Sequence, residues 1–127
     1  MPVVEIPLFI PGKLFTLNGE RKGNKYERAS RVRLWRQAAW GIARMDRDRP
    51  RHLTSVEIEA CPVLGSRRSQ DTAGCFPVVK AAIDGLVDAH LLEHDGPDIV
   101  RKLTFCAPEH ATIGGEGLRL IIRGEAA

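Results

Sequence analysis

Acidic residues are concentrated in one stretch of this 127-residue chain. Lys80 is the only lysine or arginine between positions 71 and 98, whereas six carboxylates fall there: Asp71, Asp84, Asp88, Glu93, Asp95 and Asp98. Carboxylate oxygens are the ligands that Mg²⁺ prefers, so several of them meeting in space would form a magnesium site. A bound Mg²⁺ polarises a phosphate and activates water, which is the chemistry of metal-dependent nucleases.

The carboxylates in this stretch are not equivalent candidates. Asp84 lies four residues after Lys80, so we expect an ordinary ion pair on a helix, with Asp88 on the same solvent face. Asp71 precedes that predicted helix and Asp95 follows it, so both lie in loops that can converge. For Asp71 and Asp95 the residues alone leave two interpretations open, a metal ligand or a plain turn residue.

The charge of the chain is divided between its two halves. Residues 1–51 carry twelve Lys and Arg against five Asp and Glu, a net charge of +7, whereas residues 52–127 carry seven against eleven, a net charge of −4. A basic half suits a polyanion, because each cation set against a phosphate releases condensed counterions. We expect residues 17–28, which hold two glycines and four cations, to form a mobile, positively charged loop.

A helix is predicted from Ser30 to about residue 45, because apolar residues recur there at spacings of three and four. Its core face would carry Val32, Trp35, Ala39 and Ile42. Its opposite face would carry a stripe of Arg33, Arg36, Trp40, Arg44 and Arg47. This stripe is either a solvated surface with Trp40 packed under arginine stems or a contact surface for DNA phosphates.

The remaining patterns predict four strands and a second helix. The strands are residues 3–10, 56–63, 99–106 and 118–123, and the helix runs from Pro77 to about residue 89. Pro7 indicates that the first strand is an edge strand or contains a bulge. The order β-α-β-α-β-β predicts an α/β (α+β) fold, in which two helices pack on a single mixed sheet within one domain of residues 1–127. The last two strands are expected to form an antiparallel hairpin.

Cysteine and histidine spacing predicts neither a disulfide framework nor a zinc site. The three cysteines form no CxxC pair, which is typical of a protein of the reducing cytoplasm. Cys61 and Cys106 are expected to pack as small apolar residues in strands. The chain has no apolar run of about 20 residues, and its first five residues lack a basic signal region, so we expect neither a membrane span nor a secretory signal.

Residues 67–100 resemble the RusA family of Holliday junction resolvases. The resemblance is carried by Arg67-Arg68-Ser69-Gln70-Asp71, by Lys80-Ala81-Ala82-Ile83-Asp84-Gly85-Leu86-Val87-Asp88 and by His94-Asp95. The family signature is D-x-D-N, a lysine in the following helix, a D-A/G-L segment and an Asp-Asp pair. Asp71, Lys80 and Asp95 match the first acid, the lysine and the last acid. Ala73, Gly74 and His94 stand where the family has Asp, Asn and Asp.

The resemblance implies a homodimeric, Mg²⁺-dependent endonuclease that resolves four-way DNA junctions and needs no small-molecule cofactor. Asp71, Asp95 and Lys80 would be catalytic. Asp71 and Asp95 would hold Mg²⁺. The candidates to replace the missing acid are Glu59, His94 and Asp98, and Glu59 is preferred because Mg²⁺ favours oxygen over imidazole; a site relying on His94 would suit Mn²⁺ better. The residues gripping the DNA backbone would be Lys13, Arg21, Lys22, Lys25, Arg67 and Arg68. The alternative is a catalytically silent DNA-binding or protein-interaction module on the same fold, which Ala73 favours.

Overall fold

The structure, a computed structural model, describes residues 3–16, 25–65, 71–111 and 115–125. Its helices are α1 (Lys25–Arg44) and α2 (Phe76–Asp88). Its strands are β1 (Val3–Pro11), β2 (Val56–Leu64), β3 (Val100–Phe105), β4 (Glu109–His110) and β5 (Gly117–Glu125). The predicted order of elements and the single mixed sheet with two helices are confirmed, and the two-residue β4 is an addition.

The strands lie in the order β1-β5-β2-β3, and β4 pairs with the end of β2. Strand β5 is antiparallel to both β1 and β2, whereas β3 and β4 run parallel to β2. The predicted hairpin of the last two long strands is therefore wrong, because β2 lies between them. A strand, helix and strand in succession form a crossover that returns the second strand parallel to the first, as β2, α2 and β3 do here.

One face of the sheet is covered by the helices and the other face is open. Side chains alternate along a strand, so Ile6, Leu8 and Ile10 of β1 point into the core together with Ile58 of β2 and Leu120 of β5. The intervening residues point to the other side, which we call the open face. On β2 the open face begins with two glutamates, and on β5 it carries two arginines, so it is rich in charge.

Helix α2 packs closely against α1 at Gly85. A Cβ atom at this position would lie 2.3 Å from the carbonyl oxygen of Arg36 and 2.8 Å from the Cβ of Ala39. Only a glycine allows the two helix backbones to approach so closely. The predicted core residues of α2 (Val79, Ile83 and Leu86) are all buried, and the helix has Pro77 in its first turn, as expected.

Helix α1 begins at Lys25, five residues before the predicted start at Ser30. Residues 25–28, expected in a loop, are helical because none of them is a glycine or proline and Glu27 favours a first turn. Trp35 and Ala39 are buried as predicted, and the indole Nε1 of Trp35 donates to the carbonyl of Lys13 at 3.0 Å. Among the described residues, neither helix is both long and apolar enough to cross a membrane.

Candidate functional site

Lys80 joins two carboxylates at the exposed side of α2. Its Nζ donates to Oδ1 of Asp84 at 2.7 Å and to Oδ2 of Asp95 at 2.6 Å. Asp95 lies in the loop that follows α2, 15 residues after Lys80 in the chain. The loop returns this carboxylate to the helix. Two of the three predicted catalytic residues are thus in direct contact, and the expected pair of Lys80 and Asp84 is confirmed.

The charges of this group alter one another. Hydrogen bonds to Asp84 and then to Asp95 raise the pKa of Lys80 above its usual value. The hydrogen bond from Lys80 is the main cause that lowers the pKa of Asp95. Asp95 is therefore ionised and Lys80 is charged at neutral pH, which is the state needed to act on an anionic substrate.

Arg36 of α1 extends the group across the helix pair. Its guanidinium forms two hydrogen bonds with Asp88 of α2, one of them at 2.8 Å, and this contact lowers the pKa of Asp88. The charges of Asp84 and Asp95 also help to raise the pKa of Arg36, after the larger effect of Asp88. We call the five residues of this group the Lys80 cluster: Arg36 of α1, Lys80, Asp84 and Asp88 of α2, and Asp95 of the following loop.

Asp71 lies in the turn that leads into α2. Its carbonyl accepts a hydrogen bond from the backbone N–H of Gly74 at 2.9 Å, and its side chain is exposed. Among the described residues, the carboxylate of Asp71 forms no hydrogen bond or ion pair with Lys80 or Asp95. The prediction that Asp71 precedes α2 in a loop is confirmed, but the structure does not join it to the Lys80 cluster.

Glu59 lies on the open face of the sheet, away from Asp71 and Asp95. Its neighbours on β2, Ile58 and Ala60, are buried on the covered face, so alternation turns Glu59 to the other side. One carboxylate oxygen, Oε2, accepts from Nη1 of Arg123 at 2.9 Å, and this is the main cause that lowers the pKa of Glu59. Glu59 is therefore not brought to the two aspartates that it was predicted to join.

Two cysteines lie beside Glu59. The ligand atoms of Glu59, Cys61 and Cys106 all lie within 4.8 Å of one another, and these residues form the only such group of three that the described part of the chain offers a metal. Burial, followed by the hydrogen bond with Cys106, raises the pKa of Cys61 to about 12. We call these three residues the Glu59 cluster.

Sequence reasoning missed the Glu59 cluster because its cysteines are 45 positions apart. Only the parallel pairing of β2 with β3 brings them together. A weak signal was present in the sequence. Glu59 and Cys61 are two residues apart on one strand and so share a face, and Cys106 lies at the end of the strand that follows α2. The structure places Cys61 on the open face of β2. Cys106 was predicted to lie in a strand, but β3 ends at Phe105, one residue before it.

Magnesium finds few ready ligands at the Lys80 cluster. The ammonium of Lys80 lies against both carboxylates, and no three carboxylates among the described residues meet within 4.8 Å. Mg²⁺ is, however, often held by one or two carboxylates plus substrate phosphates and waters. Asp95 therefore fits Mg²⁺ only where a bound phosphate and waters complete the coordination, and the described contacts do not bring Asp71 to it.

The predicted DNA contacts are only partly described. Lys13 follows β1 and is exposed, and Lys25 is the first residue of α1, with its Nζ 5.4 Å from the centre of the Tyr26 ring. The other four predicted contacts lie outside the described residues: Arg21, Lys22, Arg67 and Arg68. On the stripe of α1, the guanidinium of Arg44 stacks over Trp40 at 5.3 Å. This contact leaves Arg33 and Arg44 exposed, so it is compatible with both interpretations of the stripe.

An apolar groove of about 510 Å³ lies between the segment after β1 and helix α1. Phe15, Leu34, Trp35 and Ala38 are among the residues that line it, and Leu34 is exposed to 63%. No sequence pattern pointed to this groove, because it depends on how the segment after β1 lies against the helix. It is separate from both clusters.

No family model matches the sequence, and no curated protein matches it.

Proposed function

We propose that the protein is a structure-selective DNA endonuclease of the RusA kind, which resolves Holliday junctions and related branched DNA by Mg²⁺-dependent phosphodiester hydrolysis. The observation that carries the proposal is the 2.6 Å contact between Lys80 and Asp95. These two residues were selected from sequence as members of one site, and a helix and a loop bring them together. A lysine beside a carboxylate is suited to a substrate that binds both a cation and a phosphate.

Each residue of the site would have a distinct role. Asp71 and Asp95 would hold Mg²⁺, or Mn²⁺ in its place, together with oxygens of the DNA phosphate. The ion supplies polarisation of the phosphate and a water of lowered pKa. Lys80 would offset the negative charge of the phosphate, and Asp84 would act as a positioning residue that holds the lysine side chain. Glu59 has no part in this arrangement.

The basic half of the chain supports DNA as the partner. Arg33, Arg44 and Arg47 are exposed on or just after α1, on the helix that also contributes Arg36 to the Lys80 cluster. Such a surface would bind the phosphate backbone with little dependence on sequence. A homodimer would present two symmetric sites to a four-way junction, in the cytoplasm that the free cysteines favour.

A second candidate is a catalytically silent junction-binding module. The observation that favours it is the shortage of carboxylates, because Ala73 replaces an acid of the family signature and Glu59 points to the open face. A module of this kind would bind junctions with an affinity that falls steeply with added salt.

The test is incubation of the protein with a labelled four-way junction and a matched linear duplex, in Mg²⁺, Mn²⁺ or EDTA. We expect symmetric, metal-dependent nicks in the junction alone. Asp71→Asn and Asp95→Asn should each reduce the rate by at least about 100-fold. Glu93→Gln is the matched control, because this exposed carboxylate lies two residues from Asp95 but pairs with His52 instead.

The outcomes separate the two candidates. Normal turnover by both aspartate variants would reject the site. Tight junction binding without cleavage in either metal would support the silent module. Equal cleavage of linear duplex and junction would reject structure selectivity.

A further inference from the structure

We infer that Glu59, Cys61 and Cys106 form a binding site for a thiophilic divalent cation of the Zn²⁺ class on the open face of the sheet. Their three ligand atoms already lie within 4.8 Å of one another. This inference is independent of the proposed nuclease function, because the three residues lie on the open face of the sheet and Lys80 lies on α2, which packs on the other face.

The backbone of two paired strands fixes the positions of the three residues. Glu59 and Cys61 are two residues apart on β2, so they project from the same face. The N–H of Cys106 donates to the carbonyl of Ala60 at 2.9 Å, which extends the pairing of β2 and β3 beyond its last partner, Phe105. Cys106 therefore lies beside Cys61, and regular strand structure positions the donors.

The donor set and its spacing suit tetrahedral zinc. Zinc bonds sulfur at about 2.3 Å and carboxylate oxygen at about 2.0–2.2 Å, so a sulfur and an oxygen on one zinc ion lie roughly 3.6 Å apart. Sγ of Cys106 lies 3.6 Å from Oε1 of Glu59. Two thiolates select a soft cation, and Mg²⁺, which requires about six oxygen ligands, does not suit this site.

Arg123 orients the carboxylate for this role. Its Nη1 binds Oε2 of Glu59 at 2.9 Å, and this leaves Oε1 directed at the thiol of Cys106. A second hydrogen-bonding partner of this kind commonly fixes a metal ligand. Arg123, which also pairs with Glu5 at 3.3 Å, places a positive charge beside the site, where two thiolates and one carboxylate carry one negative charge more than a divalent cation neutralises.

Two of the three residues of the Glu59 cluster are partly exposed to solvent. Cys61 is buried, with 7% of its surface exposed, whereas Glu59 and Cys106 are half-buried. A water molecule can therefore reach an ion held by the three residues. Three protein ligands and an open position are the arrangement of zinc sites that take a further ligand.

The experiment is a titration of the reduced, metal-free chain with Co²⁺, followed by displacement with Zn²⁺. We expect one equivalent of Co²⁺ to give the sulfur-to-cobalt charge-transfer absorption, and Zn²⁺ to abolish it. Cys106→Ser should weaken that absorption and lower the Zn²⁺ affinity. Arg123→Met removes only the hydrogen-bonding partner of a ligand, so it should lower the affinity by about 10- to 100-fold, which is less than the loss in Cys106→Ser. Glu59→Gln should also lower the affinity.

Matched variants make the result specific. Glu57→Gln changes an exposed carboxylate on the same strand and face, and Cys75→Ala removes the third cysteine, which lies at the start of α2. Both should bind Co²⁺ as the unaltered chain does. Because Cys61 is buried and Cys61→Ser can impair folding, circular dichroism accompanies each variant and Cys106→Ser is the decisive one.

Three outcomes would overturn the inference. One is the absence of charge-transfer absorption at one equivalent of Co²⁺. Another is an absorption that a folded Cys106→Ser leaves unchanged. The third is a reduced chain that takes up no Zn²⁺ and instead joins Cys61 to Cys106 in air, which would make the pair a redox couple.

Discussion

The Lys80 cluster and the Glu59 cluster both neutralise a carboxylate with a cation, but they leave different atoms free. In the first, the lysine ammonium lies between Asp84 and Asp95, at 2.7 and 2.6 Å from their oxygens. In the second, Arg123 takes one oxygen of Glu59 at 2.9 Å and leaves the other beside a thiol. The atoms left free, and not the ion pair, determine which cation each region can bind.

The two regions also differ in the elements that hold them. The Lys80 cluster joins two helices and a loop, so its geometry depends on how the helices pack. The Glu59 cluster is held by neighbouring strands, so its geometry follows from the register of the sheet. Substitutions that disturb helix packing should therefore affect the first region and leave the second unchanged.

The largest expected effect is on catalysis by the Lys80 cluster. Lys80→Met keeps an unbranched side chain, one atom shorter, but removes its charge, so junction cleavage should fall about 100-fold, equivalent to about 2.7 kcal/mol of transition-state stabilisation. Single-turnover cleavage measures this effect. Lys102→Met, on the exposed edge of β3, is the control and should cleave normally. Equal loss in both variants would mean that the lysines only attract DNA.

The next effect is on the packing of the two helices. Gly85→Ala places a methyl group against the backbone of α1, where a Cβ would lie 2.3 Å from the carbonyl oxygen of Arg36. We expect the free energy of unfolding to fall by about 1–3 kcal/mol, measured by urea denaturation. Gly41→Ala on α1 is the control, because its Cβ would meet nothing within 4 Å. Helix propensity should make that variant up to about 1 kcal/mol more stable.

The Gly85→Ala variant also tests whether the Glu59 cluster depends on the packing of the two helices. Gly85→Ala should leave the Co²⁺ absorption of the Glu59 cluster intact while it disturbs the pairing of Arg36 with Asp88. Loss of both properties together would show that the two regions depend on the same packing.

The smallest effect is expected from the ion pair between Arg36 and Asp88. Both side chains are partly exposed, so Arg36→Gln should cost about 0.2–1 kcal/mol in the free energy of unfolding, and less at high salt. Arg33→Gln on the same helix is the control and should cost less. A cost that does not change with salt would show that Arg36 acts by packing its stem.

This ion pair also gives the variant a defined pH dependence. The hydrogen bond from Arg36 lowers the pKa of Asp88 in the folded chain below its unfolded value of about 3.9. The ion pair therefore contributes its full stabilisation above the unfolded pKa of Asp88, and this stabilisation is lost as the pH falls through the lower pKa of Asp88 in the folded chain. The difference in stability between the original chain and Arg36→Gln should shrink over the same range.

The sequence predicted elements better than it predicted their partners. Apolar spacing found the core of α2, and the strand patterns located the four long strands to within two residues at each end. The strand partners were not predictable from alternation alone, because it shows which side of a strand is buried and not which strand lies beside it. The hairpin prediction failed for this reason.

The same limit applies to the candidate site. Lys80 and Asp84 are four residues apart on one helix, so their contact could be predicted from spacing alone. The contact of Lys80 with Asp95 required the resemblance. The Glu59 cluster depends on the pairing of strands and was missed. Glu59 itself was chosen for its oxygen ligands, without knowledge of which face of the sheet would be covered.

The two edges of the sheet determine how copies of this chain can meet. In the described strand order β1 lies at one edge, β3 and the short β4 lie at the other, and this order confirms the edge position that Pro7 predicted for β1. At the opposite edge, β3 exposes Arg101 and Lys102, whose charges disfavour the approach of another strand. Both edges thus resist the addition of a further strand. The proposed homodimer is therefore expected to form through the helices or the open face, without a sheet that continues from one chain into the other.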